Sequence, residues 1–212
     1  MTPVRTWSAL AAIALLAAPH AASANEIEPA CLPGCGCSDD PPFVRTPVAH
    51  TPSTADFARL VAQTGDSSCE VAATAVRSLE MLGDQRAEAT LIPLLRHRAC
   101  RIRAAAAEAL ATTGSGTSVP PLVAALRDAD SRVRTGAAWS LARVGDQRAV
   151  PALVRAVRDT SSHVRQGAAT ALGHIGDARA ADALVRALKD PEKHVREAAA
   201  DALGRLRSRP SS

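Results

Sequence analysis

The chain has 212 residues, of which 47% are hydrophobic but only 2% aromatic, and its formal net charge is +4. A hydrophobic core of this composition must consist of alanine, leucine and valine, because the large rings beyond residue 24 are only Trp139, Phe43 and Phe57. Acidic residues recur beside the arginines and break up any single basic stripe, so we predict no nucleic-acid partner.

The first 24 residues have the three-part pattern of a secretory signal peptide. Arg5 provides a positive start, an apolar run extends from Trp7 to Ala18, and Ala22-Ser23-Ala24 fits the small-residue cleavage pattern. The apolar run is shorter than the roughly 20 residues that a membrane-spanning helix needs. We therefore predict an exported chain, periplasmic or secreted, that begins at Asn25 after cleavage and has no membrane span.

Residues 25–52 form a predicted arm or linker that is rich in proline and cysteine. Six prolines in this stretch oppose both helices and central strands. The segment 25–66 carries six acidic residues and two arginines, whereas residues 67–212 carry 22 basic and 15 acidic residues. An acidic arm beside a basic array could fold back onto it, or both could simply be solvated.

Beyond residue 53 the sequence repeats every 31 residues, which is the signature of a stacked helical array. One column of the repeat holds apolar residues and a second, twelve residues further on, holds glycine. The apolar column contains Val71, Ile102, Val133, Val164 and Val195, and the glycine column contains Gly83, Gly114, Gly145 and Gly176. We predict a solenoid over 53–207 and a polar tail over 208–212.

Each repeat predicts two helices. In the central repeat, Val133, Ala137, Leu141 and Val144 recur at helical spacing, Gly145 ends that helix, and Pro151 lies near the start of the next. The predicted helices cover 54–64, 69–82, 86–97, 101–112, 118–127, 132–143, 148–158, 163–174, 179–188 and 194–207.

The repeated motif is V-R-x-x-A-A-x-A-L-x-x-I/V-G-D followed by A-x-x-x-L-V-x-A-L-x-D. It resembles the HEAT-like repeats of the bilin-lyase type over about 150 residues. The resemblance implies an all-α, right-handed α-solenoid of about five HEAT-like helix pairs, of the armadillo-like class. It also implies an alternative function as an enzyme or enzyme accessory of the bilin-lyase or hydroxylase kind, since that family contains both.

Two charged columns predict a structural ladder that ties neighbouring repeats together. An acidic residue precedes each arginine by six positions, except that His97 takes the acidic position once. The predicted ladder residues are Arg103, Arg134, Arg165, Arg196, Asp128, Asp159 and Asp190.

The opposite helical face predicts a binding surface. Trp139 lies about 180° from the apolar stripe of its helix, so the period places it in solvent. A tryptophan among basic residues has the composition of an interface hot spot, although the ring could instead lie flat over its own helix. The predicted surface consists of Arg101, Arg132, Trp139, Arg143, His163 and His174.

The five cysteines, Cys31, Cys35, Cys37, Cys69 and Cys100, are disulfide candidates because export favours oxidation. Cys69 and Cys100 occupy one position in consecutive repeats, roughly 10 Å apart as neighbouring helices are, which is too far for a bridge. We therefore expect bridges from the arm to the repeats. A metal site in the arm is the alternative, although the spacing lacks the paired C-x2-C motif of zinc sites.

No set of histidines and carboxylates suggests catalysis, cofactor binding or a resident metal. The sequence contains no H-E-x-x-H motif and no His-Glu dipeptide, and the latter supplies the iron ligands of the hydroxylase branch of the resembled family. The sequence therefore favours an exported, non-catalytic scaffold or adaptor that binds a protein with an acidic or mixed surface.

Overall fold

A computed structural model describes residues 54–208, and these residues form ten α-helices and no strand. The helices are α1 (Thr54–Gln63), α2 (Cys69–Leu82), α3 (Glu88–Leu94), α4 (Cys100–Thr113), α5 (Val119–Ala125), α6 (Ser131–Val144), α7 (Val150–Ala156), α8 (Ser162–Ile175), α9 (Ala181–Ala187) and α10 (Lys193–Ser208). The predicted signal peptide, the arm and residues 209–212 lie outside the described residues. Ser208, predicted to belong to the tail, is the last residue of α10.

The helices pack as a solenoid of five pairs. Each even-numbered helix packs against the next even-numbered helix, and each odd-numbered helix packs against the even-numbered helix that follows it. Every contact of this kind joins one repeat to itself or to the next repeat, which is the contact pattern of an all-α solenoid.

The odd-numbered helices are shorter than the period predicts, and a single 3₁₀ turn takes the place of the first residues of three of them. These turns are Gln85–Ala87, Gln147–Ala149 and Ala178–Ala180. In the first turn, the Asp84 carboxylate accepts the Arg86 backbone N–H at 2.9 Å, and the Ala87 N–H bonds to the Asp84 carbonyl. This i to i+3 bonding tightens the chain before α3 can begin.

Glycine ends three of the even-numbered helices in the left-handed conformation. The φ angles are +63° at Gly83, +71° at Gly145 and +74° at Gly176, a region that side chains disfavour. Gly114 differs, with an extended backbone at φ −75°. The Asp-x-Arg turn is also missing after Gly114, and Glu88 of α3 accepts bonds from the Ser115 and Thr117 side chains in its place.

The core lies between the two layers of helices and contains leucine, valine and alanine. Leu141, Leu153 and Leu172 are completely buried, as are Ala137 and Ala168. Small side chains let the even-numbered helices approach closely, and the buried Ser140 hydroxyl donates to the Ala107 carbonyl across the α4–α6 contact.

The predicted apolar column is buried at four of its five positions. Ile102 is 1% exposed and the three later members are fully buried, but Val71 is 40% exposed. No even-numbered helix precedes α2 within the described residues, so the face of Val71 has no neighbouring repeat to pack on.

Candidate protein-binding face and interrepeat ladder

Three arginines of the predicted ladder make bidentate bonds to an aspartate 25 residues ahead. Arg134 donates from Nε and Nη2 to the Asp159 carboxylate, both at 2.8 Å. The equivalent pairs are Arg103 with Asp128 and Arg165 with Asp190, at 2.7 to 2.9 Å. Each arginine starts an even-numbered helix and each aspartate follows the next odd-numbered helix, so the pairs join consecutive repeats.

The ladder is continuous because each member has two sets of partners. Arg134 also donates from Nη1 to the carbonyls of Asp128 and Ala129, in the loop before its own helix. The Asp159 carboxylate also accepts the Ser161 backbone N–H at 2.8 Å. Every aspartate therefore fixes the turn before its own even-numbered helix while it holds the arginine of the preceding repeat.

His97 occupies the acidic position in the one repeat whose preceding repeat has no ladder arginine to bind a carboxylate there. Counting back 31 residues from Arg103 leads to Ala72, which is buried and cannot donate. The His97 Nδ1 atom accepts the Ala99 N–H at 3.1 Å, as a ladder carboxylate accepts its own turn N–H. Burial, with help from Arg98, lowers the pKa of His97, which keeps this nitrogen an acceptor.

The ladder predicts a loss of stability in acid. Burial alone would raise the pKa of Asp159, but bonds from Arg134 and Ser161 outweigh it and lower the pKa. The pKa of Asp190 is lowered mainly by the Arg165 side chain. A lowered folded-state pKa stabilises the fold above the unfolded value of about 3.9, and this stabilisation is lost as pH falls through the folded value.

We expect the free energy of unfolding, measured in urea, to fall steeply below about pH 4. The variant Asp159→Asn should be less stable at pH 7 and should show a shallower decline in acid, because its ladder position no longer titrates. Equal slopes for the two proteins between pH 5 and pH 2 would contradict this assignment.

The predicted binding residues lie together on one surface, which we call the even-helix face. It consists of exposed and half-buried side chains of α4, α6 and α8: Arg101, Glu108, Thr112, Arg132, Thr135, Trp139, Arg143, His163, Gln166, Thr170 and His174. Trp139 lies near its middle and is 39% exposed.

Two glycines make room for the central side chains of this face. An ideal Cβ atom built on Gly167 of α8 would lie 3.4 Å from Trp139 Nε1, and one built on Gly136 of α6 would lie 3.2 Å from Glu108 Cγ. The edge of the indole that carries Nε1 therefore lies beside the next helix of the stack. Partial loss of hydration among neighbouring protein atoms raises the pKa of Glu108, and repulsion from the Glu80 carboxylate adds to the rise.

A row of basic side chains borders the tryptophan on the side of the helix N-termini. Arg101, Arg132, His163 and His194 occupy one repeat position, and the last two rings have centroids 5.7 Å apart. Arg132 Nε lies 3.6 Å from the Asp130 carboxylate, while its buried Nη2 atom finds no acceptor among the described residues. The guanidinium thus retains unused hydrogen-bonding capacity.

Arg143 and His174 border the opposite side of the tryptophan. Arg143 is exposed, whereas His174 is half-buried and its Nδ1 atom lies 3.3 Å from the Ala142 carbonyl. His174 thus bridges α8 to α6, and of these two residues Arg143 is the one open to a partner.

Sequence reasoning missed a second basic column at the ends of the odd-numbered helices. Arg96, Arg127, Arg158 and Lys189 are 31 residues apart and all exposed. Their positions at helix C-termini favour positive charge through the helix dipole. The period itself was the signal that could have revealed them.

The two cysteines of the repeats begin equivalent helices, Cys69 in α2 and Cys100 in α4. Neither is a free thiol in the structure, since both are disulfide-bonded. Their predicted partners, Cys31, Cys35 and Cys37, lie outside the described residues, so the pairing of the arm with the repeats stays a prediction.

Residues 54–208 contain no group of three or more His, Cys, Asp or Glu side chains that could hold a metal ion. Within the same part of the chain, every helix is too short or too polar to cross a membrane.

A family model described as HEAT repeats matches residues 57–142 and again residues 119–204. The chain belongs to the HEAT-repeat family. It matches none of the curated proteins with which it was compared.

Solved structures resemble this HEAT-repeat chain along most of its length. The complex of CpcE and CpcF of phycocyanin lyase from Nostoc sp. PCC7120 is 26% identical, with a TM-score of 0.69 over 80% of this chain and 71% of the other. An engineered protein is 25% identical, with a TM-score of 0.59 over 73% and 80% of the two chains. A designed armadillo repeat protein in complex with the peptide (KR)4 is 20% identical, with a TM-score of 0.56 over 72% and 82%, and shares the fold.

Proposed function

We propose that this HEAT-repeat chain is an exported, non-catalytic scaffold whose even-helix face binds an acidic or mixed protein surface. Repeat proteins of this kind bind other proteins or peptides along continuous surfaces. The observation that carries the proposal is Trp139, an exposed indole held against Gly167 between two basic borders. Tryptophan and arginine are the residues that most often dominate interface energetics.

The charge of the face favours an acidic partner. Around Trp139 the described residues include Arg101, Arg132 and Arg143, against the carboxylates of Glu108 and of Asp130, which lies 3.6 Å from Arg132. Such an excess raises the rate of association with an acidic surface and is weakened by salt.

Replacing Trp139 with alanine should weaken partner binding by about 2 kcal/mol or more, the cost typical of a hot-spot tryptophan. The free energy of unfolding should fall by less than about 2 kcal/mol, because the indole is 39% exposed and buries only part of its surface against α8. The partner is captured from the native compartment with the wild-type chain, and its dissociation constant is then measured for each variant.

Val185→Ala is the matched control, because Val185 is 51% exposed on α9, away from the even-helix face. It should bind the captured partner as the wild type does. A large loss of stability in Trp139→Ala with unchanged partner binding would show that the indole is a packing residue and that the proposal is wrong.

The proposal of export rests on the signal-peptide pattern of residues 1–24. Export favours oxidation of the arm cysteines and their bridging to the repeats. We expect mass spectrometry of the native protein to find Asn25 at the amino terminus. Peptide mapping without reductant should recover Cys69 or Cys100 joined to an arm cysteine. An intact Met1 terminus on cytoplasmic protein, or five free thiols, would contradict these expectations.

A second candidate function is an accessory role in chromophore attachment. Only the likeness to the phycocyanin lyase complex supports it. Absorbance spectra of the protein purified from its native source separate the two functions, since a bound bilin absorbs visible light and a plain scaffold does not.

A further inference from the structure

The interrepeat ladder has an unused member at each end of the described chain. Arg196 occupies the position of Arg165, and its Nη1 atom donates to the carbonyls of Asp190 and Pro191 in the usual way. Its Nε and Nη2 atoms, which in Arg165 hold Asp190, make no bond to any described carboxylate. The guanidinium is therefore held in place with its bidentate edge open.

Asp66 is the complementary member at the other end. It occupies the position of Asp128, and its Oδ1 atom accepts the Ser68 backbone N–H at 2.7 Å, as Asp128 accepts that of Asp130. Asp66 is exposed, and no arginine among the described residues reaches its carboxylate. It is thus a formed ladder acceptor to which no described arginine donates.

The apolar surfaces beside these two groups are also unmatched. Leu188 of α9 is 39% exposed, whereas the equivalent Val157 is 6% exposed against the following repeat. Ala200 of α10 is exposed, whereas the equivalent Ala169 is fully buried. At the other end, Val71 is 40% exposed and lines a groove of about 220 Å³.

The hydrogen bond that crosses the α4–α6 contact can also form between the two ends of the described chain. Ser140 donates to the Ala107 carbonyl across the α4–α6 contact. Ser78 stands at the position of Ser140, and Ala200 stands at that of Ala107. Ser78 lines the Val71 groove, and its hydroxyl donates to the Thr74 carbonyl of its own helix. By rotating, this hydroxyl can make the same bond to a second chain.

We propose that two copies of this chain associate head to tail, with α9 and α10 of one copy packed on α1 and α2 of the next in the geometry of an internal repeat contact. Arg196 of one copy binds Asp66 of the other. The opposite charges and the paired apolar faces identify a second copy as the occupant. The surfaces differ from the even-helix face, so this proposal stands or falls independently of the proposed function. Such a contact is heterologous and extends into open chains.

Charge reversal in the full exported chain tests the proposal by sedimentation velocity from about 10 µM to about 1 mM, the range in which weak protein contacts form. The average mass of the wild type should rise with concentration. Arg196→Asp and Asp66→Arg should each weaken association at least about tenfold, because each places like charges opposite each other. An equimolar mixture of the two variants should associate again, since every contact between the two different variants joins opposite charges.

Arg205→Asp is the matched control, because it makes the same charge change on α10 at an exposed position outside the ladder. It should associate as the wild type does. Ala200→Arg blocks the contact without touching the ladder and guards against misfolding of Arg196→Asp, with circular dichroism to verify each fold. A wild type that stays monomeric to about 1 mM, as when the chain's own segment 25–53 covers the α1–α2 face, would overturn the proposal. A mixture of folded variants that stays monomeric would overturn it too.

Discussion

Replacing Arg134 with methionine is expected to lower the free energy of unfolding by about 3 kcal/mol, the cost of breaking a buried charge pair. Methionine retains most of the aliphatic volume but removes both bonds to the Asp159 carboxylate and both bonds to the loop carbonyls before α6. The side chains of this pair are each only 13% exposed, so water cannot easily replace the lost partner. Urea titration at pH 7 measures the change.

Arg179→Met is the control for this substitution. Arg179 also pairs with an aspartate, Asp177, but within one turn, and its side chain is 65% exposed. Exposed pairs of this kind contribute little, so no measurable destabilisation is expected. Similar losses in the two variants would show that the interrepeat position of Arg134 has no special importance.

Replacing Gly173 with alanine is expected to destabilise the protein by about 2–3 kcal/mol, as overpacking a tight contact does. An ideal Cβ atom on Gly173 would lie 2.6 Å from the Ala202 Cα atom and 2.7 Å from its Cβ atom. The obstacle includes backbone, so α8 and α10 would have to move apart. Thermal or urea unfolding reports the loss.

Gly204→Ala provides the matched comparison one repeat later. A Cβ atom on Gly204 meets nothing within 4 Å. Alanine favours a helix interior over glycine by roughly 0.5–1 kcal/mol, so this variant should be slightly stabilised. The same substitution at equivalent positions thus changes stability in opposite directions. Destabilisation of both variants by the same amount would contradict the close approach of α8 and α10.

The tandem arrangement explains why these effects are local. Arg134 and Gly173 each act across one contact between neighbouring repeats, and in such an array stability is approximately a sum of repeat and interface contributions. Each described repeat therefore reports on its own contacts, and variants two repeats apart should be nearly additive.

The sequence by itself determined the helical fold and its repeats. The 31-residue spacing of Val133, Gly145 and their equivalents predicted every helix, since the period repeats an amphipathic pattern with its stop signals. It also placed Arg134 and Asp159 in regular columns and Trp139 opposite the apolar stripe. The short first turns of the odd-numbered helices were missed, because hydrophobic spacing does not separate 3₁₀ from α geometry in a single turn.

Only the tertiary structure decided which members of these columns meet. The sequence placed each aspartate six residues before an arginine, but the carboxylate binds the arginine 25 residues earlier, and the later arginine takes the carbonyl. Likewise, Gly167 against Trp139 and Gly173 against Ala202 depend on how the even-numbered helices stack. The exposure of Val71 and Leu188 depends on which repeats have neighbours. A periodic sequence specifies equal positions, whereas contacts between repeats arise from packing and differ at the ends of the stack.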